Sequence, residues 1–130
     1  MPFLVDTDWI IHYLRGRSDI VAKLSSYLTE GIFVSIISLA ELYEGVYYSV
    51  DPADSEAGIK DFLGKATILE IDEEVTRIFG RERGRLRRLH RTVGDMDLLI
   101  GATAIRHDLT LLTNNRRDFE LLEKLRIISI

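Results

Sequence analysis

Four acidic residues lie at positions where an α/β protein can present metal-binding groups: Asp6, Glu41, Asp97 and Asp118. Asp6 directly follows an apolar run at residues 3–5, and Asp97 and Asp118 lie on either side of a second run at 109–113. The chain has no cysteine, and carboxylates without histidine or cysteine partners favour a hard cation, Mg²⁺ or Mn²⁺. Such a cation suits phosphodiester hydrolysis, because it stabilises charge on the phosphate and activates a water molecule as nucleophile.

Each of these acids, taken alone, also has a purely structural interpretation as part of a helix N-terminus. Side chains of Ser, Asp and Asn cap the first backbone N–H groups, and a Glu or Asp three residues later completes a capping box or complements the helix dipole. The residues and patterns with this second interpretation are Asp6, Asp8, Asp95, Asp97, Ser38-x-x-Glu41 and Asn115-x-x-Asp118. Several carboxylates converging on one crevice would instead repel one another, and a cation between them would relieve that repulsion.

The elements that must position these acids are short strands alternating with helices. Runs rich in β-branched and aromatic residues predict strands, and they lie at residues 3–5, 32–36, 67–71, 109–113 and 126–130. Helical spacing of apolar residues occupies most of the intervals, and Asp72 is the predicted cap of a long helix. This alternation predicts an α/β sandwich around a mainly parallel sheet. Ligands of such sheets bind beyond the carboxyl ends of the strands, and the residues at these ends are Asp6, residues 35–41, Asp72 and residues 113–118.

The composition restricts the class of protein. A chain of 130 residues with 46% hydrophobic and 29% charged residues predicts one globular domain, residues 1–130. No apolar run approaches the ~20 residues of a membrane-spanning helix. The first residues lack the basic stretch and small-residue cleavage site of a signal peptide. We therefore expect a cytoplasmic protein with no membrane partner.

The net charge of −4 conceals a strongly basic segment. Residues 77–91 contain seven arginines and a single acid, Glu82. A basic patch on an otherwise acidic protein is compatible with binding a polyanion at one place. Three roles remain open for this segment: contact with RNA phosphates, contact with an acidic segment of a partner protein, or a solvated helix face.

Three segments carry a resemblance to a known family: FLVDTDWIIHYL (3–14), VSIISLAELYEG (34–45) and GDMDLLIGATAIRHDLTLLTNNRRDFE (94–120). In this order and spacing the chain resembles PIN-domain ribonucleases, specifically the VapC-like toxins of bacterial and archaeal toxin–antitoxin pairs. The resemblance implies a three-layer α/β/α sandwich with a five-stranded sheet in the order 3-2-1-4-5. It also implies an Mg²⁺-dependent endoribonuclease that acts on RNA, forms a homodimer and is inhibited by a VapB-like antitoxin.

The resemblance implies that Asp6, Glu41 and Asp97 form the metal site and that Asp118 lies in or near a fourth position. Some members of the family have an acid where this chain has Asn115. Asp118 is therefore open to three roles, as a metal ligand, as a group acting through water, or as a residue that orients its neighbours.

Two other classes of protein remain as alternatives. One is a PIN-like module that keeps the fold but only binds RNA or protein. The other is a haloacid-dehalogenase-type phosphatase, because Asp6-Thr7-Asp8 is similar to the Asp-x-Asp motif that opens those enzymes. Two features disfavour the phosphatase. No lysine precedes the second acidic motif, Asp95-x-Asp97, more closely than Lys65, and the phosphatase mechanism does not require a glutamate at position 41.

Overall fold

The computed structural model describes residues 2–130, which form five strands and seven α-helices. The strands are β1 (Phe3–Val5), β2 (Ile32–Ser35), β3 (Thr67–Leu69), β4 (Thr110–Leu112) and β5 (Ile127–Ile128). The helices are α1 (Thr7–Leu14), α2 (Ser18–Tyr27), α3 (Ile36–Tyr47), α4 (Pro52–Leu63), α5 (Glu73–Arg88), α6 (Asp95–Arg106) and α7 (Arg116–Phe119). The predicted alternation of strands and helices is confirmed.

The five strands form one sheet in the order β3-β2-β1-β4-β5, as predicted. All four neighbouring pairs are parallel, so the sheet is wholly rather than mainly parallel. Val5 of the central strand β1 lies opposite Leu112 of β4. The residues that follow these two strands are therefore neighbours at one edge of the sheet.

Alternating residues of the strands divide the core between the two faces of the sheet. On β1, Phe3 and Val5 pack into one hydrophobic cluster and Leu4 into the other. The first cluster contains apolar side chains of α1 to α4, and the second contains those of α5, α6 and α7. Because each face is covered by helices, the fold has the three layers that were predicted.

The boundary between β2 and α3 differs from the sequence prediction. The strand ends at Ser35, whose hydroxyl accepts a hydrogen bond from the Ile37 N–H and caps α3, which begins at Ile36. The predicted capping box Ser38-x-x-Glu41 is therefore wrong, and Glu41 lies in the middle of the helix. The prediction that Asp72 caps a long helix is confirmed, because its carboxylate accepts a hydrogen bond from the Val75 N–H.

No helix within residues 2–130 is both long and apolar enough to cross a lipid bilayer.

Candidate active site

Asp6 and Thr113 lie side by side at the carboxyl ends of the two central strands. Asp6 follows β1 and caps α1, with Oδ1 accepting a hydrogen bond from the Thr7 N–H at 2.8 Å. Its other oxygen, Oδ2, accepts a hydrogen bond from the Thr113 hydroxyl at 2.7 Å. Asp6 therefore does cap a helix, but the same geometry places its carboxylate in the crevice where parallel sheets bind ligands.

The surroundings of Asp6 disfavour its negative charge. The residue is only 4% exposed, and burial, aided by the charges of Asp8 and Asp97, raises its pKa to about 7. The hydrogen bonds from Thr113 and Thr7 act in the opposite direction and only partly offset the burial. A carboxyl group held in this way is stabilised as an anion when a cation approaches it.

Glu41 reaches the same crevice from α3. Its Oε1 accepts a hydrogen bond from the Thr7 hydroxyl at 2.6 Å, so the side chain points toward the start of α1. This contact replaces the capping role that the sequence suggested for Glu41.

Asn115 joins the two remaining candidate acids. Its side-chain amide donates hydrogen bonds to Oδ2 of Asp97 at 3.2 Å and to Oδ2 of Asp118 at 3.3 Å. Asp97 lies in the first turn of α6, and Asp118 lies in α7. The predicted Asn115-x-x-Asp118 capping pattern is wrong, because the Asn115 side chain makes no capping hydrogen bond to α7.

Asp97 is the acid whose pKa is affected by most of the other acids of the site. Burial raises its pKa, and the nearby charges of Glu41, Asp118 and Asp8 raise it further. The hydrogen bond from Asn115 opposes this shift. Asp6, Glu41 and Asp118 are therefore each within electrostatic reach of Asp97, although the four acids come from four separate segments.

Asp8 is an additional acid of the site that the sequence suggested only as a helix cap. Its Oδ1 accepts a hydrogen bond from the Trp9 N–H, and its Oδ2 accepts one from the Asn114 N–H at 3.0 Å. Asp8 thus holds the loop that follows β4 against α1. The signal available in the sequence was the Asp-x-Asp spacing at the end of a buried strand.

Asn114 and Asn115 are adjacent but point to different partners. Oδ1 of Asn114 accepts hydrogen bonds from the Trp9 indole N–H and from the Ile130 N–H, both at 3.0 Å. Trp9 is completely buried in the core, so its ring is not available to stack on an RNA base. Asn114 thus fixes the loop to the core, while Asn115 faces the acids.

The neighbour of Asp118 in the chain, Phe119, packs closely on α6. A Cβ atom at Gly101 would lie 2.3 Å from Cδ1 of Leu122 and 3.5 Å from Cδ1 of Phe119. A hydrogen at this position allows α7 to approach α6, and so sets the position of Asp118 relative to Asp97.

No lysine, arginine or histidine within residues 2–130 forms an ion pair with Asp6, Asp8, Glu41, Asp97 or Asp118. The acids are thus a concentration of negative charge without a protein counter-charge. The nearby Asp95, which the sequence suggested as a helix cap, pairs with Arg83 instead, and α6 has no side-chain cap.

Comparison with known proteins identifies the family. A sequence profile of the PIN domain matches residues 3–125. The chain belongs to the PIN-domain family. Within that family it is 31% identical over 126 residues to Ribonuclease VapC2 of Haemophilus influenzae, an alignment covering 97% of this chain and 96% of the relative. It is 28% identical over 127 residues to the tRNA(fMet)-specific endonuclease VapC of Salmonella typhimurium, an alignment covering 98% of this chain and 96% of the relative.

Solved structures of PIN-domain proteins agree with these relatives. The chain superposes with a TM-score of 0.93 on a chain of VapBC2 from Rickettsia felis bound to a promoter DNA fragment, at 26% identity, covering 100% of this chain and 99% of that one. The corresponding TM-score for DNA-bound VapBC from Salmonella typhimurium is 0.91 at 27% identity, and the match covers 99% of this chain and 98% of that one. The predicted family is confirmed, and these matches favour neither the phosphatase nor the non-catalytic module.

PIN-domain ribonucleases of the VapC type depend on a metal ion, and the residues of this crevice fit one. The donors are carboxylate oxygens with threonine hydroxyls beside them, and oxygen donors suit a hard cation. Within residues 2–130, no group of three or more Asp, Glu or His side chains is arranged closely enough to hold a metal ion by protein ligands alone. Mg²⁺ does not require such an arrangement, since it keeps several waters and binds few protein oxygens. One turn before Glu41, the buried Ser38 hydroxyl has no partner within residues 2–130 and remains available to water or a ligand.

Proposed function

We propose that this PIN domain is a metal-dependent endoribonuclease and the toxin of a VapBC-type toxin–antitoxin pair. One observation carries the proposal: a PIN fold brings Asp6, Glu41 and Asp118 within electrostatic reach of Asp97, and no cation within residues 2–130 forms an ion pair with any of the four. The relatives named above are ribonucleases and an endonuclease. We propose that residues 1–130 act as one such domain.

We further propose that Asp6, Asp97 and Glu41 hold the metal and that the metal is Mg²⁺, with Mn²⁺ as a substitute. When bound, the cation supplies charge stabilisation for the phosphate and an acidified water as nucleophile. Thr113 and Thr7 orient the carboxylates of Asp6 and Glu41 by donating hydrogen bonds. Asn115 orients Asp97 and Asp118 together, so Asp118 either binds the metal or acts through water.

The test compares Glu41→Gln with Glu44→Gln, a matched exchange one turn further along α3 on an exposed residue. The substrates are total bacterial RNA and tRNA(fMet), the latter because one relative is specific for it by name. We expect Mg²⁺-dependent cleavage by the parent and by Glu44→Gln, and a loss of at least 100-fold in Glu41→Gln. Equal cleavage by Glu41→Gln and the parent, or undiminished cleavage in EDTA, would refute the assignment.

The VapBC structures of relatives contain an antitoxin together with the toxin. We propose that this chain likewise forms a homodimer and binds a cognate VapB-like antitoxin in the cytoplasm. Expression of the chain alone should arrest growth, and co-expression of the product of the neighbouring reading frame should restore it. The Asp6→Asn variant is the control, because it should still bind that product while leaving growth unaffected.

A further inference from the structure

The arginines of residues 77–91 differ in their partners. Arg77 pairs with Glu73 and Glu74 in the exposed first turn of α5. Arg85 pairs with the buried Glu82, whose Oε1 also accepts a hydrogen bond from the Glu123 N–H. These two arginines therefore have structural roles, and the basic segment is not uniformly available to a partner.

A pocket of about 390 Å³ lies between the end of α5 and the start of α6. Its lining residues are Arg83, Arg87, Arg91, Thr92, Val93, Gly94 and Asp95. Arg83 is held in place, because its guanidinium donates hydrogen bonds to the Val93 carbonyl and to the Asp95 carboxylate. Arg87 and Arg91 are exposed, and within residues 2–130 their side chains form no hydrogen bond or ion pair. The pocket thus has two guanidinium groups, those of Arg87 and Arg91, without a partner within residues 2–130.

The pocket and the acidic site both include residues of the first turn of α6, although Asp95 and Asp97 point to different sides of that helix. Asp95 forms part of its wall, and Asp97 lies two residues further along the same helix. The Gly94 cap leaves the first N–H groups of α6 without a side-chain partner, which adds donors on the same wall. An extended polyanion crossing the acidic site would therefore meet cationic groups on this side.

Arg15 lines a cavity with Glu41 on one side of the site, but no lysine or arginine within residues 2–130 forms an ion pair with the acids themselves. We propose that Arg87 and Arg91 form a phosphate-binding subsite for the RNA strand next to its cleaved phosphate, an inference that rests on the proposed ribonuclease function. Guanidinium groups suit this task because they bind phosphate oxygens with two parallel N–H donors. RNA is favoured over an acidic peptide, because the proposed reaction places an RNA strand at Asp97, in the helix whose first turn lines this pocket.

The experiment measures RNA binding rather than cleavage. A short fluorescein-labelled single-stranded RNA of mixed sequence is titrated with the Glu41→Gln protein in Mg²⁺, across a series of KCl concentrations. Arg87→Gln/Arg91→Gln is compared with Arg77→Gln/Arg88→Gln, which removes the same charge from residues that do not line the pocket. Thermal unfolding of each variant verifies that it is folded.

We expect the pocket variant to bind RNA about tenfold more weakly. The slope of log K against log[salt] should fall by ~0.7 for each phosphate that the protein no longer neutralises. The control variant should keep a slope close to that of the parent. An unchanged slope in the pocket variant, or equal changes in both variants, overturns the subsite. Unchanged RNA binding combined with weaker binding of a glutamate-rich peptide overturns it in favour of an acidic protein partner.

Failure of the subsite and failure of the ribonuclease assignment are separable. If the Arg87→Gln/Arg91→Gln exchange in the parent sequence leaves RNA cleavage and its salt dependence unchanged, the subsite is wrong and the nuclease stands. If the parent binds RNA through this pocket yet never cleaves it, the nuclease is wrong and the subsite stands.

Discussion

The Thr7 hydroxyl donates a 2.6 Å hydrogen bond to Oε1 of Glu41, across 34 positions of the chain. Thr7 is the first residue of α1, and its own N–H donates to Asp6. One residue thereby orients two of the acids that we assign to the metal site. Groups that orient metal ligands commonly affect metal binding nearly as much as the ligands themselves.

Replacement of Thr7 by Val removes the hydroxyl while keeping the shape of the side chain. We expect RNA cleavage to fall by roughly 10- to 100-fold at subsaturating Mg²⁺, because Glu41 loses the donor that orients it. The free energy of unfolding should change by less than about 1 kcal/mol, since Thr7 is only half-buried. Thr7→Ser, which keeps the donor, should retain most of the activity. If the Val and Ser variants cleave equally fast, the hydroxyl has no role.

Burial of Asp6 makes the stability of the metal-free protein depend on pH. Its folded pKa, about 7, lies above its unfolded value, so the folded state binds the proton more tightly. The stabilisation is fully present below the unfolded pKa of ~4 and is lost as the pH rises toward 7. Asp6→Asn lacks this titration, and its free energy of unfolding relative to the parent should rise by about 2–4 kcal/mol between pH 4 and pH 7.5.

Urea unfolding in EDTA across this pH range measures the difference. Mg²⁺ should stabilise the parent at pH 7.5 and have little effect on Asp6→Asn, because a ligand that binds only the folded state raises its stability. A pH-independent difference between the two proteins would show that Asp6 titrates normally.

The two adjacent asparagines should respond differently to replacement by alanine. Asn115→Ala removes the donor shared by Asp97 and Asp118, so we expect cleavage to fall by about tenfold with little change in stability. Asn114→Ala leaves the buried Trp9 indole N–H without its acceptor, which should cost ~1–3 kcal/mol. Cleavage rates and urea unfolding of both variants test this division. Equal losses of stability would contradict it.

Gly101→Ala should destabilise the fold, because the new Cβ would overlap Leu122 and press on Phe119. Overpacking of this kind costs ~1–3 kcal/mol. Gly80→Ala is the matched control in α5, since a Cβ there meets nothing within 4 Å, and it should stabilise the protein by ~0.5–1 kcal/mol. Leu122→Ala should cost less free energy of unfolding in the Gly101→Ala protein than in the parent, because the new Cβ fills part of the space that the leucine leaves. If Gly101→Ala is as stable as the parent, close packing of α7 on α6 is not required.

The sheet was predictable because its strands are short apolar runs separated by helical patterns, and the resemblance supplied their order. Asp6 was predictable as a site residue because it directly follows the central strand. The hydrogen bond between Thr7 and Glu41 was not predictable, since it depends on how α1 and α3 pack against each other on one face of the sheet. The start of α3 was misplaced because Ser35 and Ser38 are both good caps, and only the end of β2 decides between them.

Asn115 illustrates another limit of the sequence. The sequence indicated only that Asn115 stands where some members of the family have an acid. That it donates to two carboxylates follows from the turn between β4 and α7, where the Thr113 hydroxyl accepts a hydrogen bond from the Asn115 N–H. Such turn geometry depends on the neighbouring Asp6 and Asp8, which lie more than 100 residues earlier in the chain.

The pairing of β1 with β4 has a consequence for synthesis of the chain. Strand β1 is synthesised early, but its partner β4 follows about 100 residues later. The centre of the sheet therefore forms only when residues 110–112 are available. The acids near the two ends of the sequence then meet for the first time. A partly synthesised chain that lacks residues 110–118 therefore has no assembled acidic site.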